Sequence, residues 1–294
     1  MKKTIAMILA VLLIAGAFSA CGPVKDESSS PPAATGEVAS GKISVVGSTS
    51  VGPLMEKVAA KFNETNPDIA VDIQQVGSAA GIQAAIDGSA DIGMASREVT
   101  QDELAKGIDP VAMALDGIAV IVNKDNGIPG LTMDQIQKIY TGEITNWKDV
   151  GGQDAPITVI VREEGSGTRG AFEELLKLEK EITKADGTKG KESTVLEKAL
   201  VQQGNGAVKA GVAGNPNAIG YLSLGMVDDT INALKVDNVD PTVANITDKT
   251  YKISRPFNII TKGEPGGLVK TFMDFIFSAD GQAEVEADGY IKVK

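Results

Sequence analysis

Histidine is absent from the 294-residue chain, and cysteine occurs once, at Cys21. Without an imidazole there is no Ser-His-Asp triad, no Cys-His dyad, no His-ligated zinc and no histidine pH switch. One thiol cannot close an internal disulfide, and it cannot hold zinc or an iron–sulfur cluster alone. Positive charge is also scarce: 28 Lys and Arg stand against 39 Asp and Glu, a net charge of −11. With no basic excess to neutralise a phosphate backbone, nucleic acid is not the expected partner. No apolar run reaches the ~18 residues of a membrane-spanning helix. S-x-x-K and the EF-hand spacing do not occur, so a Ser-Lys hydrolase and a calcium loop are excluded, and neither cofactor nor metal is expected.

What the chain does have begins with an address. Lys2 and Lys3 precede an apolar run from Ile5 to Phe18, followed by Ser19-Ala20-Cys21-Gly22. A basic start, a short apolar stretch and small residues before a cut site form a secretory signal. The segment resembles a bacterial lipobox, in which the cysteine becomes the lipidated first residue. Residues 1–20 are read as a lipoprotein signal peptide and Cys21 as the lipidation site. Residues 21–41, rich in Ser, Pro and charge and without apolar periodicity, read as a flexible tether. The body is expected outside the cell membrane, anchored to its outer face.

From Lys42 onward short β-like runs alternate with helical patterns, which is the signature of an α/β fold. The spacing predicts strands over 43–46, 70–76, 111–115, 118–123, 157–161 and 253–260. It predicts helices over 53–63, 79–87, 133–140, 167–178, 195–203 and 268–277. Three strand-to-helix junctions share one grammar: Gly47-Ser48-Thr49-Ser50, Gly77-Ser78-Ala79-Ala80-Gly81 and Gly165-Ser166-Gly167-Thr168. A helix N-terminus offers unpaired N–H groups and about half a positive charge. Glycine admits a close backbone approach, and Ser and Thr hydroxyls donate to oxygen. One such turn is an ordinary cap; three that converge at the carboxyl ends of strands make a pocket of donors for a tetrahedral oxyanion.

Arg162, just ahead of the third turn, is the expected charge partner of that anion. Charge-assisted bonds from a guanidinium fork contribute roughly 1.5–3 kcal/mol each. Arg97, in Asp91-Ile92-Gly93-Met94-Ala95-Ser96-Arg97, is a second cation for the site or else one half of a structural ion pair. Two other motifs fail. Residues 36–42 imitate a phosphate-binding loop, but Ile43 stands where a magnesium-binding hydroxyl belongs, and a strand follows instead of preceding. Residues 165–170 satisfy G-x-G-x-x-G, yet charged residues separate strand from turn and no second βαβ half is evident.

In order, Gly47–Pro53, Val76–Gly81, Asp91–Arg97, Arg162–Thr168 and Asn217–Tyr221 make the chain resemble the PstS family. These are the phosphate-binding lipoproteins of bacterial ABC phosphate uptake systems, and the resemblance covers residues 42–294. It implies a two-lobed α/β receptor of the type II periplasmic-binding-protein kind, each lobe a central β-sheet flanked by helices, joined by two hinge crossings. Lobe one would comprise 42–117 and 255–294, lobe two 118–254, with the crossings near 116–121 and 254–259. Carried over, Ser48, Thr49 and Ser50 donate from the first loop and Ser78 from the second. Arg162, Ser166, Gly167 and Thr168 grip the anion from lobe two, and Glu164 holds the arginine. Where well-known members place an aspartate that accepts the phosphate proton, this chain has Ser96 followed by Arg97. Asp116 is the candidate replacement, or else a turn aspartate.

The resemblance implies a monomeric, non-enzymatic receptor that captures inorganic phosphate and delivers it to ABC permease subunits. The alternatives are a receptor for sulfate or molybdate, a secreted phosphatase-type enzyme, and a surface adhesion or signalling protein with a vestigial pocket.

Overall fold

The computed structural model describes residues 40–293 except 184 and 186; the expected signal peptide, the Cys21 site and the tether through residue 39 lie outside the described residues. The first units are β1 (Gly41–Gly47), α1 (Gly52–Asn63), β2 (Ile69–Gln75), α2 (Ser78–Asp87), β3 (Ile92–Ala95) and the single-turn α3 (Gln101–Leu104). In β1 the alternation buries Ile43 and Val45. In α1, Leu54, Val58 and Phe62 share the buried face by i, i+4, i+8 spacing, and Pro53 occupies the first turn, where its missing N–H removes nothing.

The long β4 (Asp109–Asn123) follows, then β5 (Gly130–Leu131), α4 (Met133–Thr141), β6 (Thr158–Arg162), α5 (Gly167–Leu175), β7 (Glu179–Thr183), β8 (Lys189–Ser193) and β9 (Leu200–Gln202). The chain then forms α6 (Gly204–Ala213), β10 (Ala218–Ser223), β11 (Ile231–Ala233), β12 (Lys235–Val236), α7 (Val243–Thr247), β13 (Ser254–Thr261), α8 (Gly267–Ile276), α9 (Ala279–Ala287) and β14 (Ile291–Lys292).

The main sheet runs β2-β1-β3-β13-β4-β10-β6-β9, with β11 and β14 also paired to β4. β4 unites the two lobes. Its first part, through Gly117, pairs antiparallel with β13, and its second part pairs antiparallel with β10 from Ile118 onward. Two strands were expected here because Asp116-Gly117 interrupts the apolar pattern. The backbone stays extended through that pair, and Gly117 leaves room for the tip of Ile246, whose Cδ1 a Cβ there would meet at 2.5 Å. The lobes therefore share a continuous ladder.

Each lobe has its own core. In the first, Ile43, Leu54, Val58, Phe62, Met113, Phe257 and Phe272 pack together. In the second, Ile118, Val120, Tyr140, Trp147, Val161, Phe172 and Tyr221 do so. Phe172 and Tyr221 stack with centroids 3.9 Å apart, which fixes the tyrosine hydroxyl beneath the end of β6.

The helix expected over 195–203 does not form. Residues 200–202 are instead β9, an edge strand parallel to β6, and the helix begins at Gly204 with φ +75°. Backbone pairing with β6 overrides a helical apolar spacing here, and Leu200 and Val201 stay exposed because the strand lies at the edge. The short β3, the β7–β8 hairpin, β10 and α9 were not anticipated.

Candidate functional site

The three Gly-Ser turns meet. Gly47 ends β1 with φ +145°, and a Cβ there would lie 2.2 Å from Met94 O, so only glycine lets the first turn press against the end of β3. Ser48, Ser50, Ser78, Ser96, Arg162, Ser166 and Thr168 are all buried, and Thr49 is half-buried beside them.

In lobe one, Ser48 Oγ accepts the N–H groups of Ser50 (3.1 Å) and Val51 (3.3 Å) and donates to Ser96 Oγ at 2.9 Å. Ser78 Oγ accepts the Ser96 N–H (3.1 Å) and lies 3.3 Å from Ser96 Oγ. The serine cluster was expected to aim all its donors at a ligand. The Ser48 hydroxyl and the Ser50 amide instead build the turn, which leaves the Ser78–Ser96 pair and Thr49 as the hydroxyls with a proton to offer outward.

Lobe two brings α5 against this cluster. Gly167 touches it so closely that a Cβ would stand 2.3 Å from Ser78 Oγ and 2.8 Å from Ser96 Oγ. The Ala79 N–H donates to Gly165 O (3.1 Å), and Ser50 Oγ lies 2.9 Å from Thr168 Oγ1. Ser166 is the N-cap of α5: its hydroxyl accepts the Arg169 N–H at 3.3 Å, which leaves the Gly167 and Thr168 amides at the free end of the helix.

Arg162, 1% exposed at the end of β6, has a partner for each of its five side-chain N–H groups. Nε and Nη2 both donate to Glu163, each at 2.8 Å. Nη1 donates to Asn205 Oδ1 (2.9 Å) and Thr168 Oγ1 (3.4 Å), and Nη2 also donates to Thr49 Oγ1 (3.0 Å) across the lobes. Tyr221 Oη accepts the Arg162 backbone N–H at 3.2 Å.

The arginine is therefore held by Glu163 and not by Glu164, which is exposed: the chain has left the strand at this point, so the neighbouring carboxylate folds back along the guanidinium. Burial pushes the Glu163 carboxyl up, but the bonds and charge of Arg162 with the Gly204 N–H outweigh it and hold the group below its ordinary value.

Arg97 does not join the cluster. Its two Nη atoms bind Glu103 at 2.9 and 2.8 Å, and Glu103 is the reciprocal partner of Thr100 in the capping box of α3. The structural ion pair is the reading that the geometry supports. Asp116 is fully buried, and its Oδ2 receives Arg255 Nη2 at 2.9 Å and Nε at 3.3 Å. Burial pushes the Asp116 carboxyl up to about 6 against the opposing pull of Arg255. Asp116 is the counter-ion of Arg255 through Oδ2, while its Oδ1 is buried without a hydrogen-bond partner.

Sequence reasoning missed Asn205 and Arg255. Asn205 Nδ2 donates to Ser50 Oγ (2.9 Å) while its Oδ1 receives Arg162, so it ties the two lobes to the guanidinium. Its signal was present as a fourth strand–Gly–polar–helix junction at Gln202-Gln203-Gly204-Asn205, hidden by the helix expected over the preceding residues. Arg255 also reaches Ser50 Oγ, at 3.3 Å. Among the described residues no group of three or more acidic or cysteine side chains is placed to hold a metal ion.

Residues 32–280 match the family model described as a PBP superfamily domain. The phosphate-binding protein PstS of Bacillus subtilis (strain 168) is 35% identical over 99% of this chain and 94% of its own. A phosphate ABC transporter substrate-binding protein from Clostridium perfringens, solved with bound phosphate, is 45% identical. It superposes with a TM-score of 0.80, covering 86% of this chain and 100% of that one. An ABC-type phosphate transport receptor from Vibrio cholerae is 39% identical with a TM-score of 0.72, over 86% of this chain and 100% of that one.

Proposed function

Because the chain belongs to the PBP superfamily and, within it, to the PstS family of phosphate-binding proteins, we propose that it captures inorganic phosphate between its lobes and delivers it to an ABC permease. The observation that carries this reading is the convergence on Arg162. Thr49 from lobe one and Thr168 and Asn205 from lobe two meet the same buried guanidinium. An oxyanion entering here exchanges the bonds that Arg162 makes to Thr49 and Thr168 for stronger charge-assisted ones, and each displaced hydroxyl becomes a donor to it. The Gly167 and Thr168 amides add the positive end of α5. Thr49, Ser78, Ser96, Arg162, Gly167 and Thr168 are the proposed contacts, with Ser48, Ser50, Ser166, Asn205 and Glu163 arranging them.

Lobe one is assigned 42–117 and 255–294, and lobe two 118–254. The Ile118 N–H donates to Ile253 O at 2.8 Å, and this bond supports reading the two crossings as one hinge. Opening would break the Arg162–Thr49, Ser50–Thr168 and Ala79–Gly165 bonds together, and the ligand selects the state in which its contacts from both lobes are made. The protein acts as a monomeric receptor without turnover, outside the cell membrane and held there by a lipid on Cys21. No described helix is long and apolar enough to cross a membrane. The acidic surface does not oppose anion capture, because local donors set the potential of the pocket.

Titration calorimetry of the full chain tests the reading. Saturable phosphate binding in the micromolar range or tighter, about −8 kcal/mol or more favourable, is expected, without hydrolysis of a generic phosphoester. Heat from sulfate or molybdate but none from phosphate would reassign the ligand, and phosphoester turnover would overturn the receptor reading.

A further inference from the structure

Arg255 has no part in the site as read from the sequence, yet it lies one bond from it. It stands on β13 directly opposite Asp116 on β4, where β4 passes from one lobe to the other. Both side chains are 1% exposed, and the guanidinium is steadied over the Phe257 ring, 5.5 Å from its centroid. Nη2 donates to Asp116 Oδ2 and to Ser50 Oγ, while Nη1 is buried with no hydrogen-bond partner. A buried guanidinium with an unused N–H edge is costly unless something completes it.

The protons around Ser50 can be assigned by counting. Ser50 Oγ accepts from Asn205 Nδ2 (2.9 Å) and from Arg255 Nη2 (3.3 Å), which fills both lone pairs. Its own proton must then go to Thr168 Oγ1, 2.9 Å away in the other lobe. Thr168 Oγ1 receives that proton and an N–H of Arg162, so its own proton is left to point at an anion. Arg255 thus fixes, through Ser50, the direction of a donor on the opposite lobe. At the same time two guanidiniums converge on one hydroxyl pair, Arg162 through Thr168 and Arg255 through Ser50. Like charges so arranged repel each other, and an anion shared between them relieves it.

We infer that Arg255 is a second cationic positioning residue of the anion site, acting through Ser50, with Asp116 as its counter-ion. The inference rests on the phosphate reading above. Arg255 tightens binding by raising the local positive potential and by setting the Ser50-to-Thr168 proton order. Asp116 tempers that potential and keeps the guanidinium from standing unpaired in the hinge.

The test is phosphate and sulfate titration of the full chain at fixed ionic strength, with thermal unfolding alongside. Arg255→Met alone would leave Asp116 buried without a partner, so the informative variant is the neutral pair Arg255→Met/Asp116→Asn. It is expected to keep its unfolding transition and to bind phosphate at least tenfold more weakly. Binding within twofold of the wild type would overturn the inference, because a merely structural ion pair would not move affinity in a folded, neutralised variant. Should that pair fail to fold, Arg255→Lys keeps the charge but cannot reach Asp116 and Ser50 together. A three- to tenfold loss is then expected, and unchanged affinity overturns the inference. Asp116→Asn carries the opposite sign. Removing the counter-ion should strengthen phosphate and sulfate binding alike and leave their ratio unchanged. Weaker phosphate binding with a collapsed ratio would instead make Asp116 a ligand acceptor and overturn the role given to it here. A wild-type chain that binds no phosphate sinks the receptor reading and this inference with it, whereas wild-type binding with an unaffected neutral pair sinks this inference alone.

Discussion

Two buried arginines, Arg162 and Arg255, stand on opposite sides of the Ser50–Thr168 hydroxyl pair, and their surroundings differ in kind. Arg162 lies at the end of a strand, just before a helix N-terminus, and all five of its N–H groups are matched. Its bonds to Thr49 and Thr168 can be given up to a ligand, while those to Glu163 and Asn205 hold it in place. Arg255 lies inside a strand, paired in register with Asp116, and has one unmatched nitrogen. The contrast separates two ways of presenting positive charge. One arginine is exposed to the ligand by the turn that carries it; the other is locked into the sheet and works through a serine. Variants at the first should therefore change whether phosphate binds, and variants at the second should change how well.

The largest effect should follow Arg162→Met. It removes the charge, the fork, the cross-lobe bond to Thr49 and the bond to Thr168, and phosphate affinity should fall at least 100-fold, roughly 2.7 kcal/mol. Calorimetry of a variant that still shows its unfolding transition would check this, and a loss no larger than that of the neutral Arg255/Asp116 pair would erase the distinction between the two arginines. Gly167→Ala should come next. Gly167 opens α5 without a positive φ, so alanine fits the backbone there and lobe two should not lose stability. Its Cβ, however, would enter the space held by Ser78 Oγ at 2.3 Å and Ser78 Cβ at 2.8 Å, forcing the lobes apart where Arg162 meets Thr49. Phosphate binding about tenfold weaker at undiminished thermal stability is the expected pair of readings. Equal losses in both would mean that the contact serves folding and not the closing of the site.

How far these features can be read in a sequence depends on whether neighbours in the chain or distant residues create them. The three Gly-Ser turns and Arg162 are legible because a strand, a glycine, a hydroxyl and a helix start follow one another within a few residues, and local chemistry dictates what such a junction exposes. Arg255 is illegible. Ser254-Arg255-Pro256 carries no turn signal, and its burial depends on register with Asp116, 139 residues earlier. Asn205 sat between these cases: its Gly-Asn junction was readable, but the pairing of β9 with β6, which sets where the helix starts, was not. Arg97 shows the converse error. Its position after Ser96 suggested a ligand contact, and the capping-box glutamate six residues on claimed it. The α/β class was visible as alternating strands and helices, and the two lobes only through the family resemblance, whereas the unbroken β4 was hidden by Asp116-Gly117, two residues that read as a turn when taken alone.

Glu163 offers the smallest effect and the most specific one, because it is coupled to Arg162 alone of the two arginines. Its carboxyl is held below the ordinary carboxylate value: burial acts upward, and the Arg162 bonds and charge with the Gly204 N–H overcome it. A carboxylate whose folded pKa is depressed releases its proton more readily when folded. Its contribution to stability is therefore present above the unfolded value and is lost as pH falls through the folded one. Glu163→Gln keeps the size of the side chain and removes this linkage. The variant should be less stable than the wild type by about 1–2 kcal/mol at pH 7. That gap should close as the pH is lowered below the ordinary carboxylate range, because the wild type alone loses the contribution. Phosphate affinity should fall only about threefold, since Arg162 keeps Asn205 and loses orientation without losing charge. Chemical denaturation across that pH range, with calorimetry at neutral pH, would read both. A stability gap that does not change with pH would mean that Glu163 supports the turn by packing, and that the ligand-facing arginine owes its orientation to Asn205 and the hydroxyls.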